Sequence, residues 1–235
     1  MTTNSRPDEL KSALSNRLLV IDGAMGTAIQ NRDLGPDDFG GAEYEGCNEY
    51  LIITRPDVIE DIHRSYLEAG ADIIETDTFG STPVVLAEYD LAQEARRLNR
   101  DAAALARRVA EEYSTPDKPR FVAGSMGPTT KTISVTGGIT FEELAADYHT
   151  QAAGLIEGGV DLLLLETSQD TINVKAGLEG IDRAFAELGR EVPVAVQGTV
   201  EPMGTLLAGQ DVEAFYTSLS HRDLLWIGLN CATGP

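Results

Sequence analysis

Eight residues of the 235-residue chain stand where short apolar runs stop, and their side chains could do chemistry: Asp22, Glu75, Thr76, Asp77, Ser125, Glu166, Asn230 and Cys231. Carboxylates so placed can accept a substrate ammonium or move a proton. The same carboxylates also serve as ordinary helix caps. A cysteine such as Cys231 can be a nucleophile, a metal thiolate or simply a small apolar side chain. The turns GAMGT, GSMGPT and EPMGT, which carry Met25, Met126 and Met203, bring backbone amides close to any ligand there. His63, His149 and His221 fall on helical stretches or their flanks, so neither a Ser-His nor a Cys-His hydrolase is indicated. Lys131 and Lys175 lie beyond the apolar runs, which leaves a Schiff-base aldolase without its lysine.

The elements that must position these residues repeat along the chain. Apolar runs at Leu18 to Ile21, Ala71 to Ile74, Phe121 to Ala123, Leu162 to Leu165, Val192 to Val196 and Leu224 to Leu229 have the brevity and continuity of strands buried on both faces. Between them, helical periodicity is expected over Arg55 to Ala69, Ala92 to Tyr113, Phe141 to Ile156 and Thr171 to Leu188. The phrases LEAGADIIE and IEGGVDLLLLE echo each other: helix end, glycine turn, strand, glutamate. Repeated βα units make a parallel sheet with right-handed crossovers. The first turn reads DGAMGT, so the GxGxxG dinucleotide fingerprint is absent, and there is no Walker A sequence. Polar residues at every strand end suit a (β/α)8 TIM-type barrel, which gathers those ends around one mouth. A full ring needs eight strands and roughly 250 residues. About six βα units are expected here, an incomplete barrel over residues 17–235 behind a polar N-terminal segment, 1–16, and open between its first and sixth strands.

A formal net charge of −20 argues against nucleic acid and against anionic membrane surfaces as partners. Two distant cysteines make no disulfide framework and suit a reducing compartment. With a polar start and no long apolar stretch, the expected location is cytoplasmic.

The strings LLVIDGAMGTAIQ, GCNEYLIITRPDVIEDIHRSYLEAGADIIETDTFGST, VAGSMGPTTKT, DLLLLETSQD and GLNCATGP, in that order, resemble the homocysteine S-methyltransferase family, in its cobalamin-dependent branch. The resemblance runs from about Arg17 to Pro235 and implies a TIM barrel that binds homocysteine. It implies a zinc ion held by three cysteine thiolates, one matching Cys231 and the others an adjacent Cys-Cys pair, which this sequence does not contain. It places Asp22 and Glu166 on the ammonium of homocysteine and the amides from Gly23 to Thr27 on its carboxylate. Thr76 becomes another substrate contact, and Ser125 and Asn230 supports. A zinc-bound homocysteine thiolate would accept a methyl group from methylcobalamin to form methionine. The partners implied are the cobalamin and folate domains of a longer enzyme. On this reading the chain is a fragment, inactive in methyl transfer by itself. The alternatives are an inert remnant that serves as a binding or assembly module, and a homocysteine methyltransferase with another methyl donor.

Overall fold

A computed structural model of the chain describes residues 6–232; the first five residues, and Thr233, Gly234 and Pro235 of the GLNCATGP string, lie outside the described residues. Five strands form one sheet: β1 (Ile73–Glu75), β2 (Phe121–Met126), β3 (Leu162–Ser168), β4 (Val194–Gly198) and β5 (Ile227–Leu229). They lie in chain order, and every neighbouring pair is parallel. The helices are α1 (Arg6–Asn16), α2 (Met25–Gln30), α3 (Leu51–Thr54), α4 (Pro56–Ala69), α5 (Pro83–Leu86), α6 (Ala95–Tyr113), α7 (Phe141–Gly158), α8 (Thr171–Leu188) and α9 (Val212–Leu219).

Local chemistry sets these bounds. Pro56 opens α4, and Gly70 closes it with a left-handed φ of 112°. Thr140 and Glu143 form a reciprocal capping box at the start of α7. The Asp170 side chain caps α8 through the Ile172 N–H.

Side chains alternate across the sheet. Ile74, Val122, Leu163, Leu165 and Val196 pack against the helices. Ile73, Phe121, Ala123, Leu162, Leu164 and Ala195 face the other way into a smaller cluster. A doubly wound sheet carries helices on both faces and reverses its strand order at a switch point. Here the order is sequential and the inner face packs on itself, so the fold is an incomplete barrel of the (β/α)8 type.

The helix-gly-strand echo has a structural purpose. Asp72 and Asp161 directly precede β1 and β3 and are almost wholly buried. Asp72 accepts the Val20 N–H at 3.0 Å, and Asp161 accepts the Val122 N–H at 2.8 Å, so each acid ties its strand to the preceding one. Arg17 and Arg6 neutralise them at 2.7 and 3.1 Å. Arg6 belongs to α1, whose Leu10 sits fully buried in the inner cluster. The polar N-terminal stretch thus supplies a helix that covers the inner apolar face.

The first apolar run is shorter as a strand than its sequence suggests. Only Ile21 makes a parallel bridge, to Ile73. Val20 gives its N–H to a carboxylate instead of a ladder, and Leu18 and Val20 remain 92% and 59% exposed. The run lies beside β1 at one margin of the sheet, and β5 forms the other.

Candidate functional site

Strand alternation decides which side chains meet at the mouth. With Ile73, Ala123, Leu164 and Ala195 facing inward, the next inward positions are Glu75, Ser125, Glu166 and Gln197. Asp22 joins them from the end of the first run. Its own N–H bonds to the Ile73 carbonyl, and its Oδ1 accepts the Glu75 N–H at 2.9 Å.

Glu166, only 8% exposed, is fixed from two sides. The Ser125 hydroxyl donates to its Oε1 at 2.6 Å, and the Asn230 amide reaches its Oε2 at 3.3 Å. Just after Glu166 the β3–β4 register shifts, between Leu165 and Ser168. Thr167, inside that irregularity, has φ = 53°, costly for a β-branched residue. The strain is held by a reciprocal pair of bonds: the Thr167 N–H to Asn230 Oδ1 at 2.9 Å, and Asn230 Nδ2 to Thr167 Oγ1 at 2.8 Å. Asn230 Nδ2 also lies 3.5 Å from the Cys231 sulfur, and Thr167 Oγ1 lies 3.8 Å from it. Cys231 is exposed, with φ = 59°. Ser125, Glu166, Thr167, Asn230 and Cys231 therefore form one continuous polar chain along the rim.

The electrostatics are one-sided. Burial raises the Asp22 carboxyl to about 8, opposed by the Glu75 N–H and reinforced by the charge of Glu166. Burial, then Glu166, then Asp22 push Glu75 up to about 9. Glu166 is raised by burial, against the pull of Ser125 and Thr167. Among the described residues no arginine, lysine or histidine forms an ion pair with any of the three. Such a mouth is built to receive a cationic group.

Sequence reasoning named Asp22, Ser125, Glu166, Asn230 and Cys231, and the structure brings them together. Gly23 lies in the adjoining turn, where an added Cβ would meet nothing within 4 Å. The Thr76 hydroxyl is engaged elsewhere: it accepts the Ser125 N–H at 3.0 Å and lies 2.6 Å from the Thr78 hydroxyl. That bond holds the end of β2 to the end of β1. Asp77 lies within the field of a different acid. Burial, then the charge of Glu49, raise its carboxyl, while Glu49 accepts the Gly80 N–H at 2.7 Å. The resemblance assigns no role to the strand-end carboxylate Glu75, and Gln197 is not among the eight strand-end candidates. Counting alternate residues forward from Ile73 and Ala195 places both inside.

A cavity of about 630 Å³ lies elsewhere, beside Arg6, Arg107, Gly159 and Asp161, next to the N-terminal ends of the strands. Its charges balance, because Arg6, Arg107 and Arg190 stand against Glu111, Asp161 and Glu191, and Arg6 and Arg107 both pair with Asp161. The inward carboxyl groups lie at the opposite end of the strands. Among the described residues no group of three or more His, Cys, Asp and Glu side chains is arranged to hold a metal ion. Cys231 stands at the mouth, while Cys47 is 1% exposed in a separate apolar cluster.

The family model for homocysteine S-methyltransferase matches residues 19–235, nearly the whole chain. The chain belongs to the homocysteine S-methyltransferase family. Over 228 residues, 97% of the chain, it is 48% identical to methionine synthase of Mycobacterium tuberculosis. Over 227 residues it is 47% identical to methionine synthase of Mycobacterium leprae. It spans 19% of the length of each of these relatives. Among solved structures, the metallated form of the homocysteine methyltransferase MmuM from Escherichia coli superposes with a TM-score of 0.77 at 22% identity, covering 94% of this chain and 77% of that one. Its oxidized form gives 0.78, also at 22% identity. These likenesses show a shared fold. Among the described residues no helix is long and apolar enough to cross a membrane.

Proposed function

We propose that this chain is the homocysteine-binding part of a homocysteine S-methyltransferase. The observation that carries the reading is the hydrogen-bond chain from Ser125 through Glu166 and Asn230 to Cys231. It joins an ammonium acceptor to a thiol across one rim. Asp22 and Glu166 take the ammonium of homocysteine, and the open turn at Gly23 receives its carboxylate. Ser125 and Asn230 hold Glu166 at the correct angle, and Thr76 fixes the backbone that carries Ser125. The sulfur end then lies toward Cys231.

Zinc bound by thiolates would supply deprotonation of the substrate thiol. The described residues offer one accessible thiol, which does not fit a four-coordinate centre, so no step is derived through the metal. This favours binding without turnover for the chain as it stands. The methyl donor is read as methylcobalamin, carried with folate on other domains of a longer enzyme. That reading rests on the sequence resemblance and the identity to methionine synthases.

Equilibrium dialysis against L-homocysteine, followed by assay for methionine after adding methylcobalamin, tests the proposal. Retention of homocysteine without methionine is expected. No retention by a folded chain contradicts the binding role, and methionine formation at the rate of a complete enzyme contradicts the restriction to binding.

A further inference from the structure

One carboxylate neutralises one ammonium and the reading above uses two, yet the mouth contains three carboxyl groups. Glu75 is the third. It sits at the end of β1, two residues after the inward-facing Ile73, so its side chain shares the inner face. Its N–H is fixed on Asp22 Oδ1 at 2.9 Å, which sets β1 against the first run. Asp22 and Glu166 both lie close enough for their charges to act on it. Among the described residues its carboxyl has no hydrogen bond and no ion pair. Glu166, by contrast, is held by Ser125 and Asn230. A partly buried carboxyl left without a partner in a finished polar rim is available to a ligand.

We propose that Glu75 is a specificity-determining residue, the third acceptor of an ammonium-reading group formed with Asp22 and Glu166, which selects a free primary α-amine. This rests on the homocysteine reading above and deepens it. An α-ammonium presents three N–H donors, and three carboxyl oxygens from three different strand ends match them one to one. A secondary amine presents two. One inward carboxyl would then be left facing a methyl group, and polar sites reject analogues that leave their groups unpaired far more strongly than apolar pockets reject an extra methylene. A deaminated thiol acid would put none of the three to use.

The test is calorimetric titration of the full chain with L-homocysteine, N-methyl-L-homocysteine and 4-sulfanylbutanoate, for the wild type, Glu75→Ala and Glu75→Gln, with thermal melts of each. The wild type is expected to favour L-homocysteine over its N-methyl form by about tenfold or more, the size of one unpaired buried polar group. In Glu75→Ala that preference should fall to about twofold, because only two acceptors remain. Glu75→Gln keeps the shape and one carbonyl acceptor and should retain most of the preference. Wild-type discrimination in Glu75→Ala overturns the assignment, as does equal loss in both variants at unchanged melting temperature. If the wild type binds no L-homocysteine, the homocysteine reading itself falls and this inference with it. Homocysteine binding with discrimination untouched by Glu75 removes the inference alone.

Discussion

The Ser125 hydroxyl donates to Glu166 Oε1 at 2.6 Å, and this bond joins the ends of two neighbouring strands, β2 and β3. It spends the hydroxyl on the acid and leaves Glu166 with a stabilised, oriented carboxylate. Removing the hydroxyl with Ser125→Ala should raise the Glu166 pKa further and weaken L-homocysteine binding about fivefold, the size of an ordinary net hydrogen bond. Calorimetry on the variant checks this, and unchanged affinity would remove Ser125 from the site.

Affinity for L-homocysteine should depend on pH. Asp22 at about 8 and Glu75 at about 9 hold protons at neutrality in the free chain. An ammonium binds best to ionised carboxylates, so affinity should rise from pH 6 to about 8.5. A profile that is flat over that range, or that falls with pH, contradicts the placement of these acids around the ligand.

The same groups make the fold sensitive to base. Their folded pKa values lie above the ordinary 3.8 and 4.5, so the folded state binds more protons than the unfolded one across the interval. Their contribution is fully present below the ordinary values and is lost as pH rises through about 8 and 9. Asp22→Asn should flatten the fall in melting temperature between pH 6 and 9. A variant whose melting temperature drops as steeply as the wild type's tells against a buried, protonated Asp22.

His63 sets the acid limit. It is fully buried in α4 with neither ring nitrogen hydrogen-bonded, and burial lowers it from 6.5 to about 4. The unfolded chain therefore takes up a proton first, and stability is lost as pH falls from 6.5 through about 4. The shift is worth about 3 kcal/mol. His63→Leu should move the acid unfolding midpoint to lower pH, measured by circular dichroism.

Helix contacts in the outer layer depend on a glycine. A Cβ added at Gly154 in α7 would run into the Arg96 carbonyl oxygen of α6 and lie 2.9 Å from Asn99 Cβ. Neither neighbour is the end of a flexible side chain, so Gly154→Ala should destabilise the fold by about 2 kcal/mol. Urea denaturation measures it, and a neutral result would mean that the two helices can separate without cost.

Much of this was legible in the sequence, for physical reasons. α8 runs over the same residues that its periodicity marks, Thr171 to Leu188, and α4 begins one residue inside the expected span because Arg55 caps it and Pro56 opens it. Asp22, Glu166 and Asn230 were legible because each directly follows an apolar run. Other features depend on contacts far apart in the chain. The burial of Leu10 needs the inner faces of β1, β2 and β3 to be present at once. The proximity of Glu49 to Asp77 brings a long loop to a strand end, and no local pattern announces it. Thr167 takes a left-handed φ because Asn230, sixty-three positions away, holds it. Val20 drops out of regular strand pairing because Asp72 competes for its N–H.

The central claim is that the mouth acids and Cys231 frame a homocysteine site, and calorimetric titration of L-homocysteine into the wild type and the Asp22→Asn/Glu166→Gln double variant tests it most directly. The account predicts one saturable site in the wild type and a loss of affinity of about a hundredfold in the double variant, two charged hydrogen bonds removed together, with the melting temperature preserved at pH 6. Equal affinity in the two proteins, or no binding by the folded wild type, would contradict it.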